Sequence, residues 1–192
     1  MVFEQIEQDL STFLELCPPP GLPPTKVKDI MWQLLKVVDF LHSHRIIQLS
    51  YASSLDIWSG GCIFAGLLTR NPFFPCQNES DQLTQIFGVI GTPAESDCPE
   101  ESHTFRSNFA YIQPRYLTGL IPDICDWGVD LLQKMLKFDK LKRISAQDAL
   151  SHPYFVELAT DHNLSLSTST ATDVSLSDAS MNQSHDTSSS SL

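Results

Sequence analysis

The segment from residue 53 to residue 68, SSLDIWSGGCIFAGLL, constrains the fold more than any other part of this chain. Its apolar side chains would surround a helix rather than form one stripe: Ile57, Trp58, Cys62, Ile63, Phe64, Ala65, Leu67 and Leu68. A helix that is apolar on all sides must be buried on all sides or lie in a membrane. The run is shorter than the roughly 20 apolar residues that a membrane span needs. The segment therefore predicts the central helix of a globular core.

Capping signals predict where this helix and the last helix begin. Ser53 is followed three residues later by Asp56, and Ser145 is followed by Asp148 at the same spacing. This is the capping-box pattern, in which the serine accepts a hydrogen bond from an unpaired backbone N–H and the acid faces the positive helix end. Asp126 is predicted to cap the helix before the last one.

A second helix is predicted from Lys26 to about Ser43, with Thr25 as its cap. Its apolar residues recur with helical spacing along one face: Val27, Ile30, Met31, Leu34, Leu35, Val38 and Leu41. A short helix before it is predicted to be capped by Asp9 or Ser11. The prolines between the two helices predict a loop, because proline cannot continue a helix.

Three motifs in order carry a family resemblance: DIWSGGCIFAGLL, SDQLTQIFGVIGTP and FDKLKRISAQDALSHPYF. Together they resemble the C-terminal lobe of cyclin-dependent kinases, in the form of the cyclin-D-dependent subfamily. The resemblance covers about residues 2 to 155, and it implies a mainly α fold, a partial protein-kinase-like C-lobe. Residues 92–122 then correspond to the family's insert, a surface that takes partner proteins. The alternative for this segment is a loop packed by its own aromatic residues.

The resemblance divides the chain into a truncated kinase-like domain, 1–155, and a tail, 156–192. The domain comprises a hinge and first helix at 1–16, the helix before a lost catalytic loop at 25–47, and the central to last helices at 53–155. The tail is rich in serine and threonine and has no lysine or arginine, so it is expected to be disordered and acidic. Thr170 and Ser175 in the tail each precede an acid by three residues. They are either phosphorylation sites for acid-directed kinases or part of an unmodified tail.

The first residues resemble the kinase hinge. The resemblance would make Phe3 the gatekeeper, would give Glu4 and Ile6 the backbone contacts to adenine, and would place Asp9 near the ribose. Taken alone, these residues are more typical of an ordinary connection from a strand to a helix. Because the chain opens at the hinge, the N-terminal lobe is expected to be missing.

The catalytic residues of the family have no counterpart between Ile47 and Tyr51. The catalytic loop, the magnesium-binding Asp-Phe-Gly and the activation segment with its Ala-Pro-Glu anchor should lie there. Asp39-Phe40 is followed by leucine and lies in the predicted helix. No catalytic residue, metal ligand or cofactor is therefore predicted, although the family uses ATP and magnesium.

Two residues are predicted to be structural remnants of the kinase scaffold. In the family, an aspartate at the position of Asp56 holds the backbone of the catalytic loop. An arginine at the position of Arg143 pairs with the glutamate of Ala-Pro-Glu. Because that glutamate is missing, Arg143 is expected to be solvated or paired with another acid.

Charge and cysteine usage exclude several other functions. The net charge of −11 argues against nucleic-acid and anionic-membrane partners, which need clustered lysine and arginine. The five cysteines are widely spaced and form no CxxC pair, which is typical of reduced thiols in a cytoplasmic or nuclear protein. The start of the chain does not resemble a signal peptide.

Two functional hypotheses follow. In the first, the chain is an inactive relative of cyclin-dependent Ser/Thr kinases and at most a protein-interaction module for cell-cycle regulatory proteins, which bind through 92–122. Cyclin binding would be weak, because the family's cyclin-binding helix lies in the missing lobe. In the second, it is an isoform or mis-joined gene model of an active kinase that transfers the γ-phosphate of ATP to protein.

Overall fold

The computed structural model describes residues 8–19, 21–44, 50–76, 78–94, 97–98, 109–121 and 124–158. The chain divides into two compact units, 1–156 and 157–192, and the second is described only at residues 157 and 158. Several predictions fall outside the described residues: those for Phe3, Glu4 and Ile6, for Ile47, and for Thr170 and Ser175 in the tail.

Within the described ranges the fold is helical and contains no strand, which confirms the prediction of a mainly α fold. The helices are α1 Leu10–Leu16, α2 Pro24–Ser43, α3 Ser50–Thr69, α4 Glu79–Ile90, α5 Leu117–Leu120, α6 Asp126–Met135 and α7 Ala146–Leu150, followed by a 3₁₀ turn at Pro153–Phe155. Residues 156–158 are also helical, so regular structure continues past the predicted start of the tail. None of the described helices is long and apolar enough to cross a membrane.

Helix α3 lies at the centre of the core, but the prediction that it is buried on all sides is wrong, because Trp58, Cys62, Ile63 and Leu68 are only half-buried. Ile57, Phe64 and Leu67 are buried on it. Helix α2 packs against α3 with its predicted apolar face, of which Val27, Met31 and Leu35 are buried. Helix α6 approaches α3 at Gly61, where an added Cβ would lie 2.9 Å from Leu136 Cδ2. Glycine is required there because the two helices leave no space for a side chain.

Three of the predicted helix starts are wrong. Helix α3 begins at Ser50, so Ser53 lies inside the helix and does not cap it. The N-cap of α2 is Pro23, with Pro24 as the first helical residue and Thr25 in the first turn. Proline suits this position because its fixed φ is helical and its missing N–H would have no helical partner. The N-cap of α6 is Cys125, and Asp126 is its first helical residue, where the acid faces the positive helix end.

Two predicted caps are confirmed. The Asp9 carboxylate accepts a hydrogen bond from the Thr12 N–H at 2.7 Å, and this bond is the main reason that the pKa of Asp9 is lowered. The Ser145 hydroxyl oxygen accepts from the Asp148 N–H at 3.0 Å and donates to the Asp148 carboxylate at 2.7 Å. The sequence locates both helix starts because each cap depends on side chains only three residues apart.

His152 is the one polar or charged side chain that is buried in the described part of the chain. Its Nδ1 accepts from the Tyr154 N–H at 3.3 Å, so Nε2 carries the hydrogen that reaches the Asp130 carboxylate at 2.8 Å. Lys134 donates to the same carboxylate at 2.7 Å. The two contacts from Lys134 and His152 lower the pKa of Asp130, Lys134 contributing most. The group thus ties the 3₁₀ turn to α6.

The lowered pKa of Asp130 predicts an acid-sensitive contribution to stability. A carboxylate whose pKa is lower in the folded state stabilises the fold above its unfolded pKa of about 3.9, and the contribution disappears as pH falls through the folded pKa. Asp130→Asn should therefore destabilise the chain at pH 6, and the difference from wild type should shrink as the pH falls below about 3.9. Urea unfolding at several pH values measures this. Glu15→Gln, which changes an exposed acid on α1, is the control. A constant difference across the range would contradict the prediction.

Candidate functional site

The junction between α2 and α3 lies where the family resemblance places the start of the catalytic loop. Six residues, 44 to 49, connect Ser43 to Ser50. The His42 Nε2 and Asp56 Oδ2 atoms are 3.0 Å apart, so this contact joins the end of α2 to the first turns of α3. Asp56, which would hold the catalytic loop in the family, here holds the preceding helix. Asp39 and Phe40 lie inside α2, as the sequence predicts.

The described residues do not fit a magnesium–nucleotide complex. Magnesium in such sites needs carboxylate or amide oxygens together with substrate phosphates. No cluster of three or more His, Cys, Asp or Glu among the described residues is arranged to hold a metal ion. The carboxylate of Asp56 is engaged by His42, and that of Asp9 caps α1.

Arg143 is held by main-chain carbonyl groups and an aromatic ring. Its Nη1 donates to the Ser54 carbonyl at 2.5 Å, and its Nη2 and Nε donate to the Lys137 carbonyl at 2.9 and 3.1 Å. The guanidinium also lies 5.1 Å from the Trp58 ring centroid, a cation–π geometry. The sequence led us to expect solvent or another acid around this arginine. Instead, its hydrogen bonds join the loop after α6 to α3.

Cys62 does not have the properties of a nucleophile. Burial raises the pKa of its thiol to about 11, although the charge of Arg143 acts in the opposite direction. Because the thiolate is the reactive form, the thiol is almost wholly protonated and unreactive near pH 7. All five cysteines are free thiols.

The predicted site residues that the structure describes, Asp9, Asp56 and Arg143, do not converge on one site. Asp56 lies in the first half of α3, and Arg143 contacts the same half through the Ser54 carbonyl. Asp9 lies on the segment leading to α1, and the end of α1 is attached to the other end of α3, where Arg70 donates to the Leu14 and Cys17 carbonyls. Asp56 lies 14 positions before Arg70, which directly follows α3, and this corresponds to about 21 Å along the helix.

The structure also contains a cleft that the sequence analysis did not find. Its volume is about 480 Å³, within the range of roughly 300–1,000 Å³ typical of ligand pockets. It is lined by the end of α4, by parts of the predicted insert and by the loop after α6. Three basic residues line it: Arg115, Lys137 and Lys142. Arg115 lies more than 20 positions before the two lysines in the sequence, so the fold brings it to the same cleft.

Hydrogen bonds fix the wall of the cleft that the insert provides. The Thr92 N–H donates to the Ile112 carbonyl at 2.9 Å, and the Arg115 N–H donates to the Val89 carbonyl at 2.9 Å. Gly91 permits the turn after α4, because its φ of 83° is strained for other residues and an added Cβ would lie 2.8 Å from the Pro114 nitrogen. The insert segment is thus held against the end of α4.

Comparison with known proteins first identifies the protein family to which the chain belongs. The protein kinase domain model matches residues 46–155, more than half of the chain. The chain therefore belongs to the protein kinase family. Within it, the chain is similar to cyclin-dependent kinase 4: it is 36% identical over 204 residues to the rat protein, covering 80% of this chain and 67% of the relative. The protein from the frog Xenopus laevis is 35% identical, and the match covers 65% of its length. The mouse protein is 36% identical, and the match covers 67% of its length. The chain thus spans about two thirds of the length of these relatives.

Proposed function

We propose that this chain is a non-catalytic member of the cyclin-dependent kinase group that acts as a protein-interaction module through its retained C-lobe surface. The observation that carries the proposal is the junction of α2 and α3. The chain passes from Ser43 to Ser50 within six residues, where the family resemblance places the catalytic loop and the activation segment.

Phosphoryl transfer depends on charges that are held around the phosphates. A kinase uses an aspartate to orient the substrate hydroxyl, and an asparagine and a second aspartate to bind magnesium. The sequence from 44 to 53, HRIIQLSYAS, has none of these residues. This holds whatever precedes residue 1. Loss of one charge-stabilising group typically lowers the rate about 100- to 1,000-fold, so their joint loss leaves no plausible catalytic route.

The extent of the alignment supports an internal deletion. The match to the rat kinase runs over 204 residues but takes in 80% of this 192-residue chain, or about 154 residues. About 50 positions of the relative therefore have no counterpart here. A segment of that size is large enough to include the catalytic loop and the activation segment.

The proposed partners are cell-cycle regulatory proteins that bind the 92–122 insert. The name of the relatives indicates dependence on a cyclin. We propose that residues 1–192 alone bind a cyclin weakly, because the helix that binds cyclin in the family is not among them. The net charge of −11 disfavours nucleic acid and anionic membranes. Five free thiols favour a cytoplasmic or nuclear location.

The purified chain should transfer no phosphate from radioactive ATP and magnesium to a protein substrate. We expect incorporation equal to that of a sample without the chain, because the charges that catalyse transfer are missing. An active cyclin-dependent kinase diluted about 10,000-fold gives the detection limit, since the expected loss exceeds that factor. Incorporation that follows the chain through two chromatographic steps and rises with its concentration would refute the proposal.

A second candidate function, favoured by the short junction and by the unmatched positions of the relatives, is that of an isoform or mis-joined form of an active kinase. Sequencing transcripts across the codons for Ile47 and Gln48 distinguishes the two. An additional segment there that encodes His-Arg-Asp and Asp-Phe-Gly would favour the active enzyme. Transcripts that read directly from Ile47 to Gln48 would favour the interaction module.

A further inference from the structure

The cleft beside α4 combines an apolar floor with basic side chains at its sides. Ile90, Leu136 and Phe138 contribute apolar surface. The loop after α6 is fixed by the hydrogen bond from the Ile144 N–H to the Lys134 carbonyl at 3.2 Å. Phe138 packs with its ring centroid 5.8 Å from that of Phe87. The walls on both sides of the cleft are thus held by packing and main-chain hydrogen bonds.

The charges in the cleft leave it with unpaired positive groups. Lys142 is neutralised by Asp97, with which it forms an ion pair, and by Asp139 at 3.8 Å. The contact with Asp97 is the main reason that the pKa of Lys142 is raised. Arg115 and Lys137 have no ion-pair partner among the described residues. Three of the 12 basic residues of a chain with net charge −11 therefore line one cleft, and two of them are available to an anion.

We infer that this cleft binds an acidic peptide segment of a partner protein, whose carboxylate or phosphate group is held by Arg115 and Lys137 and whose apolar side chain packs on Ile90 and Phe138, two half-buried apolar residues of the lining. The inference rests on the proposed interaction function and identifies the surface and partner chemistry for it. Arginine and lysine are suited to anionic groups, arginine through its forked N–H donors.

Exposed aromatic residues next to the cleft favour a peptide over a small molecule. Tyr111 and Tyr116, on the same segment as Arg115, expose 72% and 88% of their surface. The segment from 109 to 116 contains no helix, and its main chain is pinned at Ile112 and Arg115. Tyrosine is enriched at protein interfaces, where it provides contact area with little loss of conformational freedom. A peptide chain can reach beyond the cleft to these rings.

Binding of defined peptides to the full chain tests the inference. The probes are acetyl-Gly-Leu-Glu-Glu-Leu-Gly-amide, the same peptide with phosphoserine at the first glutamate, and a version with glutamine at both glutamates. Methyl NMR spectra show where on the chain each peptide binds. The salt concentration is about 0.15 M, at which charges more than about 8 Å apart are screened. We expect saturable shifts of the Val89, Ile90, Leu117 and Leu136 methyl signals with the two acidic peptides. The glutamine peptide should bind at least about tenfold more weakly.

Charge reversal tests the two basic residues directly. Arg115→Glu combined with Lys137→Glu should raise the Kd of the acidic peptides at least about tenfold. Both side chains are exposed, so folding should be unaffected. The control, Lys26→Glu with Lys36→Glu, makes the same change in net charge on α2 and should change the Kd less than about twofold, because interactions between exposed, distant charges are screened. The ratio of the Kd of the phosphoserine peptide to the Kd of the glutamate peptide then shows whether the cleft prefers a phosphorylated partner or one that offers a carboxylate.

Shifts that do not saturate, or that are unchanged in the Arg115 and Lys137 double variant, would overturn the inference. The same double variant separates it from the proposed function. If cell-cycle regulatory proteins are captured equally by wild type and by the double variant, the interaction module stands and the cleft is not its binding site. If phosphate transfer is detected, the proposed function fails regardless of peptide binding.

Discussion

Phe155→Ala should lower the free energy of unfolding by about 3–5 kcal/mol, the range typical of deleting a buried phenylalanine side chain. Phe155 is fully buried, and its ring packs 5.4 Å from the Trp32 ring on α2 and 5.0 Å from the Tyr154 ring. Because Tyr154 in turn contacts Phe64 of α3, the substitution would open a cavity where the last turn meets the two long helices. Domains of this size are stable by only about 5–15 kcal/mol.

The neighbouring residue provides a matched control for this prediction. Val156 is 58% exposed, so Val156→Ala should change the stability by less than about 0.5 kcal/mol. Urea unfolding followed by the fluorescence of the three tryptophans, which include Trp32, measures both variants. A midpoint for Phe155→Ala that equals that of Val156→Ala would show that the 3₁₀ turn is not part of the core.

The sequence predicts the long helices because their signals are local and repeated. The apolar face of α2 recurs with helical spacing and α3 is apolar all round, so both helices are predicted, although only part of the apolar surface of α3 is fully buried. The starts of α2 and α3 are less predictable, since Thr25 and Ser53 are acceptable caps but Pro24 and Ser50 already lie in helices. A capping motif indicates that a helix can begin, whereas the neighbouring residues decide whether it begins earlier.

The contacts around the candidate sites were not predictable from sequence. The sequence suggests a carboxylate or solvent around Arg143, but the fold offers carbonyl groups from a loop that curves back towards α3. Similarly, Arg115 and Lys137 reach the same cleft because hydrogen bonds hold the insert against α4. Each arrangement depends on loop geometry over long sequence distances, for which residue spacing gives no signal.

The contacts of Asp56 and Arg143 give both residues a structural role in this kinase-family fold. Asp56 is hydrogen-bonded to His42, and Arg143 is hydrogen-bonded to the loop and to α3. The first contact joins α2 to α3 across their short junction, and the second joins the loop after α6 to α3. A charged residue near a core is tolerated only when its hydrogen bonds are satisfied. These residues therefore have a structural reason to be present that does not depend on catalysis.

Arg143→Ala should lower the free energy of unfolding by about 2–4 kcal/mol, because hydrogen bonds from a charged donor contribute roughly 1.5–3 kcal/mol each and are not additive. The substitution would leave the Ser54 and Lys137 carbonyls without this donor and remove the contact with Trp58. Arg143→Lys keeps the positive charge but not the several N–H donors of the guanidinium group. It should therefore restore less than half of the unfolding free energy that Arg143→Ala loses. Urea midpoints at constant m-value measure both variants, with Lys36→Ala on the exposed side of α2 as the control. Full recovery by lysine would mean that the charge, rather than the forked bridge between the loop and α3, stabilises this part of the scaffold.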